Sequence, residues 1–234
     1  MGSKSLLVLP VGGSATRMLG LPKFMLPVSE NETLIEKHCL GAEVAGYDEI
    51  HIITRAKYFD ILSDFIEVRS LNVSLHTLPV ETETMSETLI MGGDMIPNFK
   101  SSSITIGLAD TCFVGAQYAD IYSSLKECKS EFALGLFAVR PDQRGKLGQV
   151  SLDNKGNVET MMDKNPNCDF PNIWGLAKVP GEMILSSDPR DPHIGIGIEK
   201  LVERGTSVAG VINDSKYYDC GTFDEYRKCL HELP

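Results

Sequence analysis

The chain reads as an α/β protein, with a mostly parallel sheet flanked by helices and a mixed β C-terminal half. Three observations predict this. Apolar clusters of strand length alternate with stretches of helical period from Ser5 to Ala109. The first cluster, Leu6-Leu7-Val8-Leu9, is apolar without interruption, as suits a parallel sheet covered on both faces. Beyond Ala133 the rhythm changes to a hairpin signal, "DNKGN", flanked by Val150, Leu152, Val158 and Met161.

Taken in order, residues 5–11 predict a first strand. Residues 33–45 predict a helix, with Leu34, Ile35, His38, Cys39, Ala42 and Ala45 at helical spacing. "EIHIIT" (49–54) is a second strand, and 57–68 a helix with Phe59, Ile61, Leu62, Phe65 and Ile66 mostly on one side. A third strand is expected at 73–78, a short helix at 87–96, and a fourth strand at 103–109. Then follow a strand at 133–139, a hairpin at 149–162, a strand at 173–179, a helix at 194–204, a strand at 207–212 and a closing helix at 223–233. No repeat, low-complexity tract or linker divides the series, so one domain is expected. In open sheets of this kind ligands sit beyond the carboxyl ends of the parallel strands. The loop after the first strand and Asp110 after the fourth both fall there.

With 234 residues, 42% of them hydrophobic and 23% charged, the chain can bury a core that needs no disulfide or metal staple. The longest apolar runs, 104–108 and 132–139, are too short to span a membrane. The apolar stretch near the N-terminus is too short for a signal peptide. A myristoylation reading of Gly2 is weak, because the first strand starts almost at once. Six cysteines without a Cys-x-x-Cys pair read as reduced thiols, and the cytoplasm is the expected address. A net charge of −10 argues against a nucleic-acid partner. It leaves room for a small phosphate ligand held by a few cations and a carboxylate-bound divalent metal.

Gly12-Gly13-Ser14-Ala15-Thr16-Arg17 is neither a Walker loop nor Gly-x-Gly-x-x-Gly. It is a strand-to-loop turn that exposes backbone N–H groups, the kind of nest that cradles phosphate oxygens. Arg17 adds a planar charged fork, and Lys23, stiffened by Pro22, adds a compact point charge. The plainer alternative is a glycine loop with solvated cations; the combination favours a nucleotide loop. Asp110 is a candidate ligand for a hard cation or a cap for the next helix, and "DKNP" (163–166) alone is a polar turn after a hairpin. His38 is expected to pack on the apolar side of its helix. His51 lies in a strand, and His76, His193 and His231 have no partner at metal or triad spacing. Cys112 and Cys220 read as small buried fillers, and Met91 and Met95 as core.

Four segments, in order and spread over nearly the whole chain, resemble one family. They are "GGSATRM…LPKFMLPV", "GLADTCF" (107–113), "GQVSLDNKGNVETMMDKNP" (148–166) and "YYDCGTFDEY" (217–226). Together they look like the signature of nucleotidylyltransferases that activate sugar 1-phosphates, the NDP-sugar pyrophosphorylases. The resemblance implies a Rossmann-like, GT-A-like nucleotidyltransferase fold, with an NTP-binding half at about 1–130 and an acceptor-binding half at about 131–234. It implies joining of an NTP to a sugar 1-phosphate with release of pyrophosphate, and Mg²⁺ held by Asp110 and Asp219. Arg17, Lys23 and Asp110 would be the catalytic residues. The nucleotide would lie on Val11, Gly12, Gly13, Ser14, Ala15, Thr16, Arg17 and Lys23, with Ser86 near the base. Gly148, Asp163 and Lys164 would bind the acceptor. The family often forms dimers or tetramers, so a homo-oligomer is left open.

The chain also departs from the family pattern. Ala15 replaces a signature glycine, Pro10-Val11 replaces small residues, and Asn165 is inserted before Pro166. "TETMSETL" (82–89) lacks the usual Gly-Thr, leaving Thr84, Ser86 and Glu87 as polar candidates. Only residues 18–21 separate Arg17 from Pro22, a spacing more like that of cytidylyltransferases for alcohol or polyol phosphates. Two alternatives therefore stand beside the sugar reading: a cytidylyltransferase for a polyol, alcohol or phosphonate acceptor, and a catalytically silent nucleotide-sensing subunit.

Overall fold

Leu6, Leu7, Val8 and Leu9 are fully buried, Leu6 and Val8 in one hydrophobic cluster and Leu7 and Leu9 in another. Successive strand side chains point to opposite faces, so this run is the seam between two cores. The computed structural model describes residues 3–13 and 16–233, the side chain of Thr16 excepted. Its first elements are β1 (Ser5–Pro10), α1 (Leu34–Val44), β2 (Glu49–Arg55), α2 (Phe59–Val68), β3 (Ser74–Leu78), α3 (Met85–Gly93) and β4 (Ser103–Gly107). Then come β5 (Thr111–Val114), α4 (Tyr118–Glu127), β6 (Ala133–Ala138), β7 (Gln149–Leu152), β8 (Val158–Met162) and β9 (Asn172–Pro180). The chain closes with α5 (Gly181–Leu185), α6 (Ile194–Glu203), β10 (Ala209–Asn213), β11 (Lys216–Asp219) and α7 (Phe223–Glu232).

The main sheet runs β3-β2-β1-β4-β9-β6-β10. β1, β2, β3 and β4 are parallel; β9 lies antiparallel between β4 and β6, and β10 runs parallel to β6. The β7–β8 hairpin joins through Gln149 opposite Ile173. α1, α2 and α4 cover one face through Ile35, Leu62 and Tyr122, and α3, α5 and α6 the other through Leu89, Ile184 and Ile198. This is the mostly parallel, helix-flanked sheet with a mixed second half that the sequence predicts. No described helix is long and apolar enough to cross a membrane.

Local chemistry explains the element ends. Thr33 caps α1 in a reciprocal box with Glu36, each satisfying an orphan backbone N–H of the other. Thr84 and Thr222 cap α3 and α7 in the same sense, accepting from Glu87 N–H and Glu225 N–H. β5, α4, α5 and β11 are additions to the sequence reading. The signal for α4 was present: Tyr118, Ile121, Tyr122 and Leu125 form a buried i, i+3, i+4, i+7 stripe. On α2, Leu62 is fully buried whereas Phe59 and Ile61 are exposed. Adjacent helix positions differ by about 100°, so one narrow stripe cannot bury all five apolar side chains.

His38 is packed, as expected of its position on α1. Its Nε2 lies 3.0 Å from the Thr111 carbonyl and its Nδ1 2.6 Å from the Tyr122 hydroxyl. A carbonyl only accepts, so Nε2 carries the proton and Nδ1 accepts from Tyr122. Burial lowers the His38 pKa to about 4, against weaker opposition from the Thr111 hydrogen bond. Between pH 4 and 6.5 the unfolded chain binds a proton that the folded chain excludes, so stability falls as pH falls through that window. Denaturant titrations should show a loss on the order of 3 kcal/mol from this group between pH 7 and 4. His38→Gln, which cannot titrate, should lack that component of the slope; an unchanged slope would contradict the assignment.

Candidate active site

Beyond the carboxyl ends of β1, β2 and β4 lies a cleft of about 400 Å³. Val11, Gly12, Gly13 and Arg17 line it from the loop after β1, with Lys23 and Phe24 from the following turn. Arg55 and Tyr58 line it from the end of β2, Thr82, Thr84, Met85 and Thr88 from the start of α3, and Leu108, Ala109 and Asp110 from the end of β4. The loop is tied down at both ends. Val11 N–H donates to the Ile53 carbonyl at 2.8 Å, and Met18 is fully buried beside Leu26, Val28 and Cys220. The short path to Pro22 is made by Leu19 (φ 53°) and Gly20 (φ 85°), with Leu21 N–H on the Met18 carbonyl. A Cβ on Gly12 would stand 3.3 Å from Thr88 Oγ1, a tight contact that would narrow the cleft.

The two aspartates meet because β11 pairs antiparallel with β5. Asp219 faces Thr111 in that register, and Cys220 N–H donates to the Asp110 carbonyl at 2.9 Å. Lys23 Nζ lies 3.3 Å from Asp110 Oδ2, and Gly221 N–H donates to Asp219 Oδ1 at 2.9 Å. A Cβ on Gly221 would approach both Asp219 Oδ1 and Lys23 Nζ, so the three groups share one small volume. Burial first, and then the negative charge of Asp110, push the Asp219 carboxyl above the usual range, against Lys23, the Gly221 N–H and Arg17. Two hard oxygen donors with uncancelled negative charge fit a divalent cation that takes its other ligands from phosphate and water. Among the described residues no cluster of three or more His, Cys, Asp or Glu side chains is arranged to hold a metal alone.

The structure thus brings Val11, Gly12, Gly13, Arg17, Lys23, Asp110 and Asp219 to one edge of the sheet. Ser14 and Ala15 lie outside the described residues, and Thr16 begins the short turn that carries Arg17. Ser86 is buried, its Oγ is unpartnered, and it does not line the cleft. Gly148 and Asp163 sit together, a Cβ on Gly148 being 3.4 Å from Asp163 Oδ1. Lys164 takes a left-handed conformation (φ 48°), and its ammonium, 4.0 Å from Asp163 Oδ2, is largely exposed.

The expectation that His76 and His193 lack partners needs correction: His76 Nε2 lies 2.9 Å from His51 Nδ1, and His193 has a partner as well. Its Nε2 lies 3.2 Å from Asp163 Oδ2, a contact across thirty positions that no spacing rule reveals. Arg55, Tyr58, Thr82 and Thr88 went unread in the sequence. Arg55 donates to the Thr82 carbonyl at 2.6 Å, while its Nε and the Tyr58 hydroxyl are buried in the cleft wall without partners. The available signal was their place after β2, at the same sheet edge.

Comparison with solved structures assigns the fold to the class found in sugar-phosphate nucleotidyltransferases, with close to the full length of each chain aligned. The chain is similar to a UDP-glucose pyrophosphorylase complexed with UDP-glucose, at 17% identity and a TM-score of 0.78 over 98% of both chains. It is also similar to UDP-glucose pyrophosphorylase from Acinetobacter baumannii, at 19% identity and a TM-score of 0.73, over 98% of this chain and 92% of that one. A Bacillus anthracis protein assigned as a glucose-1-phosphate thymidylyltransferase, in complex with sucrose, matches at 13% identity and a TM-score of 0.77, over 97% and 94%. No protein-family model matches the chain, and no curated protein matches it in sequence.

The Asp110–Asp219 pair stores repulsion in the ligand-free protein. Asp219→Asn removes one charge and keeps an oxygen for the Gly221 N–H. In buffer free of divalent cations it should raise stability by about 1 kcal/mol, or roughly 2–4 °C in thermal midpoint. A lowered midpoint would show that the pair is not under strain.

Proposed function

We propose that this chain is a Mg²⁺-dependent nucleotidylyltransferase that joins an NTP to a sugar 1-phosphate in the cytoplasm, giving an NDP-sugar and pyrophosphate. The observation that carries the reading is the meeting of Lys23, Asp110 and Asp219 at the carboxyl edge of the parallel strands, beside the glycine loop. A phosphate oxygen of the acceptor attacks the α-phosphorus, and the bond to the leaving pyrophosphate breaks. Both reactants are anions, so the site contributes alignment and cancellation of charge.

In this reading the backbone of Val11, Gly12 and Gly13 lies against the nucleotide, and Arg17 pairs with the triphosphate. Lys23 neutralises charge at the phosphorus under attack, and its ion pair with Asp110 holds it ready at the cleft floor. Asp110 and Asp219 would hold Mg²⁺, which when bound offsets phosphate charge and favours the leaving pyrophosphate. Asp163 and Lys164 hold the acceptor, Asp163 through hydroxyls and Lys164 through phosphate. The domain as a whole divides into an NTP half and an acceptor half near residue 130. A second reading, a cytidylyltransferase for a polyol phosphate, draws on the tight Leu19-Gly20 turn between Arg17 and Pro22.

A pyrophosphate-release panel of four NTPs against sugar 1-phosphates and polyol phosphates separates these readings. Signal with a sugar 1-phosphate supports the first; signal only with CTP and a polyol phosphate supports the second. Nucleotide binding with no release from any pair would make the chain a sensor. Asp110→Asn should lower turnover about a thousandfold, or about 4 kcal/mol, with the fold retained. Lys164→Ala should raise the acceptor KM and leave the NTP KM unchanged; the reverse pattern would exchange the two subsites.

A further inference from the structure

Trp174 is the one tryptophan of the chain, and β9 delivers it to the sheet edge at which β4 ends. Leu176 is opposite Gly107, the last residue of β4, so Trp174 extends past the end of that strand towards Asp110. The register between β6 and β9 slips here: Leu176 faces Gly135, but Trp174 faces Leu136, leaving Gly175 as an extra residue. Such a bulge re-aims the neighbouring side chain.

The indole is held between two glycines. The backbone N–H of Trp174 donates to the Gly148 carbonyl at 3.2 Å, and the ring turns back so that Nε1 lies 2.3 Å from where a Cβ of residue 148 would be. On the other side, a Cβ at Gly195 would stand 2.6 Å from Trp174 Cζ2 and 2.9 Å from His193 Nδ1. Neither glycine has a positive φ, so both are there for the close approach of the ring.

Around that ring the polar groups divide into used and unused. His193 Nε2 lies 3.2 Å from Asp163 Oδ2, and the Lys164 ammonium lies 4.0 Å from the same oxygen. The His193 ring is fixed 5.7 Å from the indole, at an interplanar angle of 45°. The His193 hydrogen bond keeps the Asp163 carboxyl below its usual range, so it stays an acceptor. The other oxygen, Oδ1, faces Gly148 and the indole edge. Among the described residues no acceptor takes the indole Nε1–H of Trp174, and His193 and Lys164 lie against Asp163 Oδ2 and not Oδ1. Nor is Trp174 Nε1 one of the sealed, unpartnered atoms of the interior. A free donor and a free acceptor therefore look onto one place.

We propose that Trp174 and Asp163, with His193 as a positioning residue, form a subsite that reads one hydroxyl of the acceptor. A hydroxyl can accept from the indole N–H and donate to the carboxylate at the same time; a carbonyl or a phosphate oxygen cannot. The carboxylate repels the phosphate of the acceptor, which in the proposed reading lies on the exposed Lys164 ammonium, on the Oδ2 side of Asp163. The ligand is thus a phosphate ester that also carries a hydroxyl. This inference rests on the reading that Asp163 faces the acceptor, and it adds the indole donor and the imidazole support.

The emission of the single tryptophan gives a test that needs no turnover. The wild-type protein is titrated with glucose 1-phosphate, erythritol 4-phosphate and glycerol 3-phosphate, with methyl phosphate as the control that lacks a hydroxyl. A saturable change with at least one hydroxylated ester, and none with methyl phosphate, is expected. A flat response to all three, or an equal response to methyl phosphate, overturns the subsite. With the ester that is turned over, Trp174→Phe should raise the acceptor KM about tenfold and leave the NTP KM unchanged. His193→Ala should do the same, and His193→Gln, whose amide can still donate to Asp163, should recover most of the loss. An unchanged acceptor KM in Trp174→Phe also overturns the proposal. Should that variant fail to fold, the wild-type titration still decides. Pyrophosphate release with flat emission rejects this subsite alone, whereas an emission response without release from any pair rejects the proposed reaction.

Discussion

A single backbone hydrogen bond, from Cys220 N–H to the Asp110 carbonyl, closes the site. It ends the β5–β11 ribbon, whose register places Asp219 beside Thr111 and so beside Asp110. Two carboxylates far apart in the chain are thereby held together, with one lysine beside them. Such an arrangement is unfavourable in isolation, because burial and like charge both oppose ionisation of Asp219. The surrounding packing must over-determine it. Met18, Leu26, Cys112, Tyr218, Cys220 and Cys229 form the cluster that does so, locking the ribbon to the base of the glycine loop and to α7.

The same cluster explains why a loop rich in glycine can hold charged groups in place. Val11 is tied to β2, Met18 is buried, and Phe24 packs edge-on against Tyr58, with ring centres 5.4 Å apart. Lys23 therefore projects from a short segment anchored on both sides, and Arg17 directly precedes the buried Met18. The cost of ordering them is met in folding, before any ligand arrives, and that preorganisation favours electrostatic catalysis.

The antiparallel β9 sets the other wall. Crossing between β4 and β6, it carries Trp174 past the end of β4, while the β7–β8 hairpin ends just before Asp163. The segment before α6 joins the two walls: Thr84 donates to the Pro189 carbonyl at 2.6 Å, and Met85 N–H to that of Pro192 at 3.1 Å. His193 follows directly and holds Asp163. The start of α3 and the wall that carries Asp163 are in this way linked through the segment before α6.

The sequence by itself determined the class of fold, most of the elements and the edge of the sheet at which ligands would gather. These depend on local periodicity, on glycine and proline punctuation, and on the rule that an uninterrupted apolar strand must be covered on both faces. It also marked Arg17, Lys23 and Asp110, since cations in a glycine loop and an aspartate after an apolar strand are exceptions to local pattern. Tertiary structure alone decided the partnerships. The pairing of Asp219 with Asp110, of His193 with Asp163 and of Trp174 with Gly148 joins residues whose separation in the chain carries no period. Short strands such as β5 and β11, four residues each, have too few positions to show alternation and are defined only by each other. The buried Arg55 and Tyr58 likewise acquire meaning only when the loop after β1 folds over the end of β2.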